Sequence, residues 1–237
     1  MLGVAGLGVS LVGVATQLLP RQFTAQQRQQ ILDWEAGKLW RELPAGRIFP
    51  ASVSYPAPSV LGGALALTAK RIGIARQATC PAATDAAVAA VLTRSGCQDV
   101  LRATYVDATD SYVVTVGVAA FPGEVQASAA GRALSGPSLT GARSADQAAG
   151  VRAVWFKNTP AEWFTDGHRQ ISGSTSAATY VVFYTVGYAD NRPREPVSSD
   201  KYADAEMTSL GTGVAQAVVH ELAPPLAAPR CPGTPGC

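Results

Sequence analysis

Two histidines, four cysteines and one tight group of aromatic side chains are the residues on which chemistry could be built in this chain. His220 precedes Glu221, but His-Glu-Leu-Ala-Pro has no second His four residues on. The paired-histidine zinc site of a metalloprotease therefore cannot form. His220 falls instead in the last turn of a predicted helix, where an imidazolium suits the negative end of the dipole. His168 lies in Thr-Asp-Gly-His-Arg. With Asp166 it could act as a base, and serine nucleophiles are plentiful, yet no Gly-x-Ser-x-Gly elbow is present. A polar loop histidine is the simpler reading. Gly211-Thr212-Gly213 lacks a third glycine at Gln216 and has no strand leading into it, so it suits close packing of a helix on a sheet better than a phosphate loop. There is no Walker sequence and no Cys-x-x-Cys pair. No catalytic set, cofactor or metal site is expected.

Trp155, Phe156, Trp163 and Phe164 gather around Asn-Thr-Pro-Ala-Glu in a chain that is only 7% aromatic. Such a group either lines a binding surface or fills a contact between helix and sheet. The core role is the simpler one; with His168, these four are the candidate ligand or partner surface.

The four cysteines allow three connectivities, and two close pairs stand out, Cys80 with Cys97 and Cys231 with Cys237. The first pair meets a geometric objection. Pro81-Ala-Ala-Thr-Asp-Ala-Ala-Val-Ala-Ala-Val-Leu-Thr-Arg94 has the composition of one helix. Its ends would stand ~20 Å apart at 1.5 Å per residue. A disulfide needs Cα atoms roughly 4.4–6.8 Å apart. The bridge therefore requires Pro81–Thr84 or the turn at Thr93–Gly96 to fold back. The second pair spans Cys-Pro-Gly-Thr-Pro-Gly-Cys, which permits a tight turn, and the crossed pairings stay open.

An even number of cysteines fits an oxidising compartment, and the N-terminus agrees. Residues 2–19 contain no charged side chain and are Leu, Val, Gly and Ala with two hydroxyls and one Gln. This run is adequate for a membrane span. It also resembles the apolar region of a secretory signal, but it is longer than the usual core and no clean A-x-A site follows. Residues 1–20 are therefore expected to be a single-pass transmembrane anchor, with the C-terminal domain extracytoplasmic. The balance of 19 Lys and Arg against 17 Asp and Glu, net +2, carries no basic stripe, so no nucleic acid partner is expected. With 47% hydrophobic residues the chain is too apolar to be disordered throughout.

The elements that must position these residues follow from periodicity. Thr24-Ala-Gln-Gln27 has the spacing of a capping box. Behind it Leu32, Ala36, Leu39 and Leu43 form an apolar stripe, which predicts a juxtamembrane amphipathic helix within residues 21–45. Trp34 and Trp40 either anchor in a headgroup layer or pack on the domain. Residues 46–222 are predicted to be one α+β domain. Alternation at Phe49, Ala51, Val53 and Tyr55 predicts an edge strand. Leu65, Leu67 and Ala69, then Ile72 and Ile74, predict a strand with a bulge. Val100–Val106 and Tyr112–Phe121 form a hairpin around Asp-Ala-Thr-Asp, with a second strand apolar enough to be central. A helix follows Pro122, and Ser135–Gly150 is a small, polar loop. Val151–Phe156 is predicted as a strand, as is Tyr180 onward. A last helix runs from about Asp200 to Leu222, capped by Ser199, with a stripe of Met207, Leu210, Val214 and Val218. Residues 223–237 form a Pro- and Gly-rich tail. Together these predict an antiparallel sheet with helices packed on one face.

The passage from Val-Thr-Val-Gly-Val-Ala-Ala-Phe-Pro into an Ala-rich helix, with Tyr-Val-Val-Phe-Tyr-Thr-Val-Gly-Tyr leading to a helix ending Ala-Val-Val-His-Glu-Leu, resembles actinobacterial extracytoplasmic sensor-type domains and small lipoproteins. The sensor domains of mycobacterial receptor kinases are among them. A short anchor followed by Leu-Pro-Arg and a juxtamembrane helix is similar to actinobacterial single-pass membrane proteins. The resemblance implies a disulfide-containing α+β fold behind an anchor and carries over no functional residue. The expected role is a non-catalytic membrane protein that binds or organises an envelope protein partner. A small-ligand sensor or carrier is the alternative, and a hydrolase using His168 comes last.

Overall fold

A computed structural model describes residues 23–59, 65–135, 150–194 and 201–223. The anchor expected at residues 2–19, most of the loop expected over Ser135–Gly150, the expected Ser199 cap and the candidate pair Cys231 and Cys237 lie outside the described residues. The chain divides into two compact units, residues 1–35 with 225–237, and residues 36–224. In the first, the capping box is formed. The Thr24 N–H donates to Gln27 Oε1 at 3.0 Å, and the Gln27 N–H donates to Thr24 Oγ1 at 3.2 Å. It opens helix α1, Ala25–Glu42. Among the described residues no helix is long and apolar enough to cross a membrane.

The second unit is built on a six-stranded sheet, antiparallel at every pairing. Its strands are β1 Ser52–Pro56, β2 Ala66–Ile74, β3 Val100–Asp107, β4 Tyr112–Ala120, β5 Arg169–Ala177 and β6 Tyr180–Tyr188. The order is β1-β2-β3-β4-β6-β5, so β1 is an edge, as its composition predicts. The bulge of β2 falls between Arg71 and Gly73. The β3–β4 hairpin turns at Asp107–Asp110. There the Asp107 carboxylate accepts the N–H groups of Ser111 and Tyr112 at 2.8 and 2.7 Å and that of Thr109 at 3.0 Å.

Helices cover both faces of the sheet, and this corrects the expectation of one covered face. On the first face lies the last helix, α6 (Lys201–Leu222). Its Met207, Leu210, Val214 and Val218 meet Tyr55, Tyr105, Val114, Val116, Val182 and Val186 in one core. Trp40 of α1 belongs to this core too. It is buried, its backbone N–H donates to the Tyr180 hydroxyl at 3.2 Å, and that hydroxyl donates to the Ala36 carbonyl. Trp34, by contrast, is exposed. Helix α6 lies against β1, β4, β5 and β6. Six strands laid flat would span about 24 Å from first to last, so meeting both edges requires the sheet to curl around the helix. The glycines at 211 and 213 allow the approach: a Cβ on either would enter the ring of Tyr184 or the side chain of Tyr55.

The second face is covered by α3 (Cys80–Ala83), α4 (Ala86–Arg94) and α5 (Glu124–Ser135) over Val100, Ala119, Phe121, Val181 and Phe183. A short helix α2, Ala45–Ile48, links α1 to β1. Strands β4 and β6 are nearly continuously apolar because each is buried on both sides.

The single helix expected over Pro81–Arg94 is two helices. The chain breaks at Thr84 and Asp85, both extended. The break answers the geometric objection, because it folds Cys80 back toward Cys97. Their Cα atoms stand 6.4 Å apart in a disulfide. At the other end Gly96 takes φ of 79°, and the Cys97 N–H reaches the Leu92 carbonyl at 3.0 Å. That i to i−5 bond is the Schellman closure that aims the chain, and Cys97 with it, back along the helix.

Candidate functional site

The segment from Gly150 to Phe156 crosses the second face as a strap. Val151–Phe156 was expected to be a strand, and the structure corrects this. Only an isolated bridge between Thr84 and Val151 forms. What binds the strap is a row of hydroxyls on neighbouring strands. Thr104 pairs with Thr115, Thr115 with Thr185, and Thr185 with Ser172 in the strand registers. Thr104 Oγ1 donates to the Val154 carbonyl at 2.7 Å, and the Val154 N–H donates to Thr115 Oγ1 at 3.0 Å. Side chains thus satisfy backbone groups that a ladder would otherwise pair. Glycines make room. A Cβ on Gly117 would lie 2.7 Å from Val151 Cγ2, and one on Gly73 would lie 2.5 Å from the Phe156 ring.

An ion pair locks the start of the strap. Arg169, 8% exposed, holds Asp85 through two bonds, Nη1 to Oδ2 at 2.7 Å and Nη2 to Oδ1 at 2.9 Å. Asp85 also accepts the Gly150 N–H at 2.8 Å, and Arg169 Nη1 reaches the Val151 carbonyl at 3.2 Å. Asp85 heads α4 without capping it by its side chain. Its carboxylate is committed to Arg169, which explains the break between α3 and α4.

The structure separates the five candidate surface residues. Phe164 is buried with Val106, Val113 and Ala161. Phe156 is half-buried over Gly73. Trp155 and Trp163 each precede one of these anchored rings and point outward, 54% and 56% exposed. The loop between them is fixed locally. Asn158 takes a left-handed φ of 58° and gives its N–H to Glu162 at 3.2 Å, while Thr159 Oγ1 donates to the Phe156 carbonyl at 2.7 Å. His168 closes a short 3-10 turn, Asp166–His168, with Nδ1 2.8 Å from Thr165 Oγ1. Asp166 does not serve His168. It accepts the Ala153 N–H at 2.8 Å and lies 3.4 Å from Arg169 Nε. His220 is exposed in the last turn of α6, beside Glu221, which pairs with Arg47 at 3.8 Å.

Sequence reasoning passed over Arg102. It projects from β3 onto the strap face, opposite Gly117. It is half-buried, and its Nε is sealed from solvent with no acceptor. Burial pulls its pKa below the ordinary arginine value, the charge of Asp166 opposes that, and Arg152 adds to it. A lone Arg at an even position of β3, facing Val100 and Thr104 on the same side, was the only signal.

A separate groove of about 490 Å³ opens on the α6 side, between the end of β1 and the first turns of that helix. None of the five candidate surface residues lines it. Its hydroxyls are largely committed: Thr208 donates to the Asp204 carbonyl at 2.7 Å, and Ser209 donates to Pro56 O. Among the described residues no three His, Cys, Asp or Glu side chains gather as metal ligands.

No protein-family model, curated protein or solved structure matches the chain.

Proposed function

We propose that this is a membrane-anchored, extracytoplasmic protein that binds a protein partner at the cell envelope through the strap loop, without transforming it. The observation that carries this reading is the pair Trp155 and Trp163. Each is more than half exposed, and each sits next to a phenylalanine that fixes the backbone beneath it. Indoles held outward on a fixed loop lose little conformational freedom on binding, which is why Trp is enriched among the residues that dominate interfaces. The Cys80–Cys97 bridge supports an oxidising compartment. Hydrolysis has less support, because the Asp166 carboxylate is engaged elsewhere.

The test is crosslinking in intact cells, comparing the full chain with Trp155→Ala/Trp163→Ala. A crosslinked heteromeric species that disappears in the double variant is expected. An adduct of unchanged yield in the variant, or a lone monomer under every condition, would remove this reading. The groove beside α6 favours a second one, a small-ligand carrier. A thermal-shift screen decides it, since a ligand at ~100 times its Kd adds about 2.7 kcal/mol.

A further inference from the structure

A half-buried guanidinium whose Nε–H is sealed from solvent and has no acceptor is an unfavourable arrangement unless something supplies the missing charge. Arg102 is in that position. Arg102 Cγ and Val151 Cγ2 lie 3.5 and 2.7 Å from the point a Cβ on Gly117 would occupy. The stem of Arg102 therefore runs along the strap at Val151, and the next strap residue is Arg152. Arg152 is exposed and commits its Nε to the Thr84 carbonyl at 3.1 Å. The charges gathered here are Arg102, Arg152 and Arg169 against Asp85 and Asp166. Asp85 is matched by Arg169, and Asp166 is shared, so one positive charge is left over. Three residues further along the same strap stands Trp155.

We propose that Arg102, with Arg152 beside it, receives a carboxylate side chain of the partner, an acidic residue carried in the segment that covers the exposed indoles. This rests on the proposed role of the strap as a partner surface and names the chemistry that the surface recognises. A single carboxylate cancels the surplus charge, whereas a phosphate dianion exceeds it. The planar fork of arginine matches the two carboxylate oxygens.

The experiment uses the purified, disulfide-bonded protein and three probes at matched ionic strength: blocked aspartate (N-acetyl-aspartate methylamide), its asparagine counterpart, and inorganic phosphate. The readout is the Arg102 Nε–H resonance, which sealing from solvent keeps observable, assigned by its absence in Arg102→Met. Blocked aspartate is expected to shift it saturably and the asparagine counterpart to leave it in place. Arg152→Gln is expected to bind at least ~10-fold more weakly. Ligand-free Arg102→Met is expected to melt no lower than the parent, because it removes an unpaired charge and keeps the stem. An Nε–H that ignores blocked aspartate overturns the proposal. So does one that responds more strongly to phosphate, or a clear fall in the Tm of Arg102→Met, which would make Arg102 a structural residue. Loss of the crosslink in Trp155→Ala/Trp163→Ala with no response to blocked aspartate would leave the partner surface standing and remove only the carboxylate.

Discussion

Removal of the Asp85 carboxylate tests the strap directly. In Asp85→Ala, Arg169 keeps its charge at 8% exposure and loses both bonds of the pair, and the Gly150 N–H loses its acceptor. Breaking a buried pair by deleting one partner costs about 3–5 kcal/mol. The Asp85 side chain is itself 25% exposed, so water can enter the site. Asp166, 3.4 Å from Arg169 Nε, can take over part of the charge. Both features place the expected loss near the lower end, about 3 kcal/mol. Urea unfolding followed by circular dichroism measures it. Asp190→Ala serves as the control. It removes a bidentate pair with Arg192 whose side chains are both about half exposed, and should change stability by ~1 kcal/mol or less. Arg169→Met/Asp85→Ala should recover part of the loss, since no charge is then left stranded. Limited proteolysis should find a new cut near Gly150 in the single variant. Equal midpoints for Asp85→Ala and Asp190→Ala, with the strap still protected, would refute the reasoning.

Cys80→Ser and Cys97→Ser should each cost roughly 3 kcal/mol for a loop of 17 residues, and the double variant should add nothing further; unequal singles in thermal melts would contradict the pairing. Gly213→Ala should destabilise by about 1–3 kcal/mol, because its methyl enters Tyr55, whereas Gly37→Ala, with nothing within 4 Å, should stabilise α1 by up to ~1 kcal/mol. Burial, with Asp107 and Glu206 nearby, pushes the Tyr55 phenol up to about 12, and burial also raises Tyr105 and Tyr180. A raised phenol favours the folded state fully below the unfolded value of ~10, and that contribution is lost as pH rises through about 12. The tyrosinate absorbance of these three phenols should therefore rise late and together with the loss of circular dichroism. A full rise near pH ~10 in a chain still folded would refute the burial of these phenols.

Where side-chain pattern alone decides structure, the sequence was legible. The β3–β4 hairpin, the β2 bulge, the edge position of β1 and the stripe Met207, Leu210, Val214 and Val218 all follow from periodicity and turn chemistry. The near-continuous apolar run of β4 also signals burial on two faces, in conflict with the expectation of one covered face. Strand β5 went unread because Ser172, Gly173, Ser174 and Ser176 give it no apolar rhythm; it is recruited by pairing with β6. The strap was misread as a strand because Val, Ala, Trp and Phe share strand composition, while its true partners are threonine hydroxyls some 40–50 positions earlier in the chain. Gly73 and Gly117 inside strands were the available clue, since a missing Cβ in a strand marks close approach by another segment. Which member of each Trp-Phe dyad faces inward depends on where those glycines lie, and no local pattern contains that.

Helix α6 meets both edges of the curled sheet, and Ser209 reaches Pro56 across 153 residues of sequence. Because this helix follows every strand in the order of synthesis, the first core cannot close until the chain has been made through Leu222. At ~5–20 residues per second its 22 residues take roughly 1–4 s to add. Through that interval the valine-rich inner faces of β4 and β6 have no cover and can pair with other unfinished chains. A stalled ribosome or a stop codon before Lys201 would therefore yield a sticky sheet rather than a smaller working domain. The same delay keeps the sheet of the nascent chain without a closed core until that helix has been added.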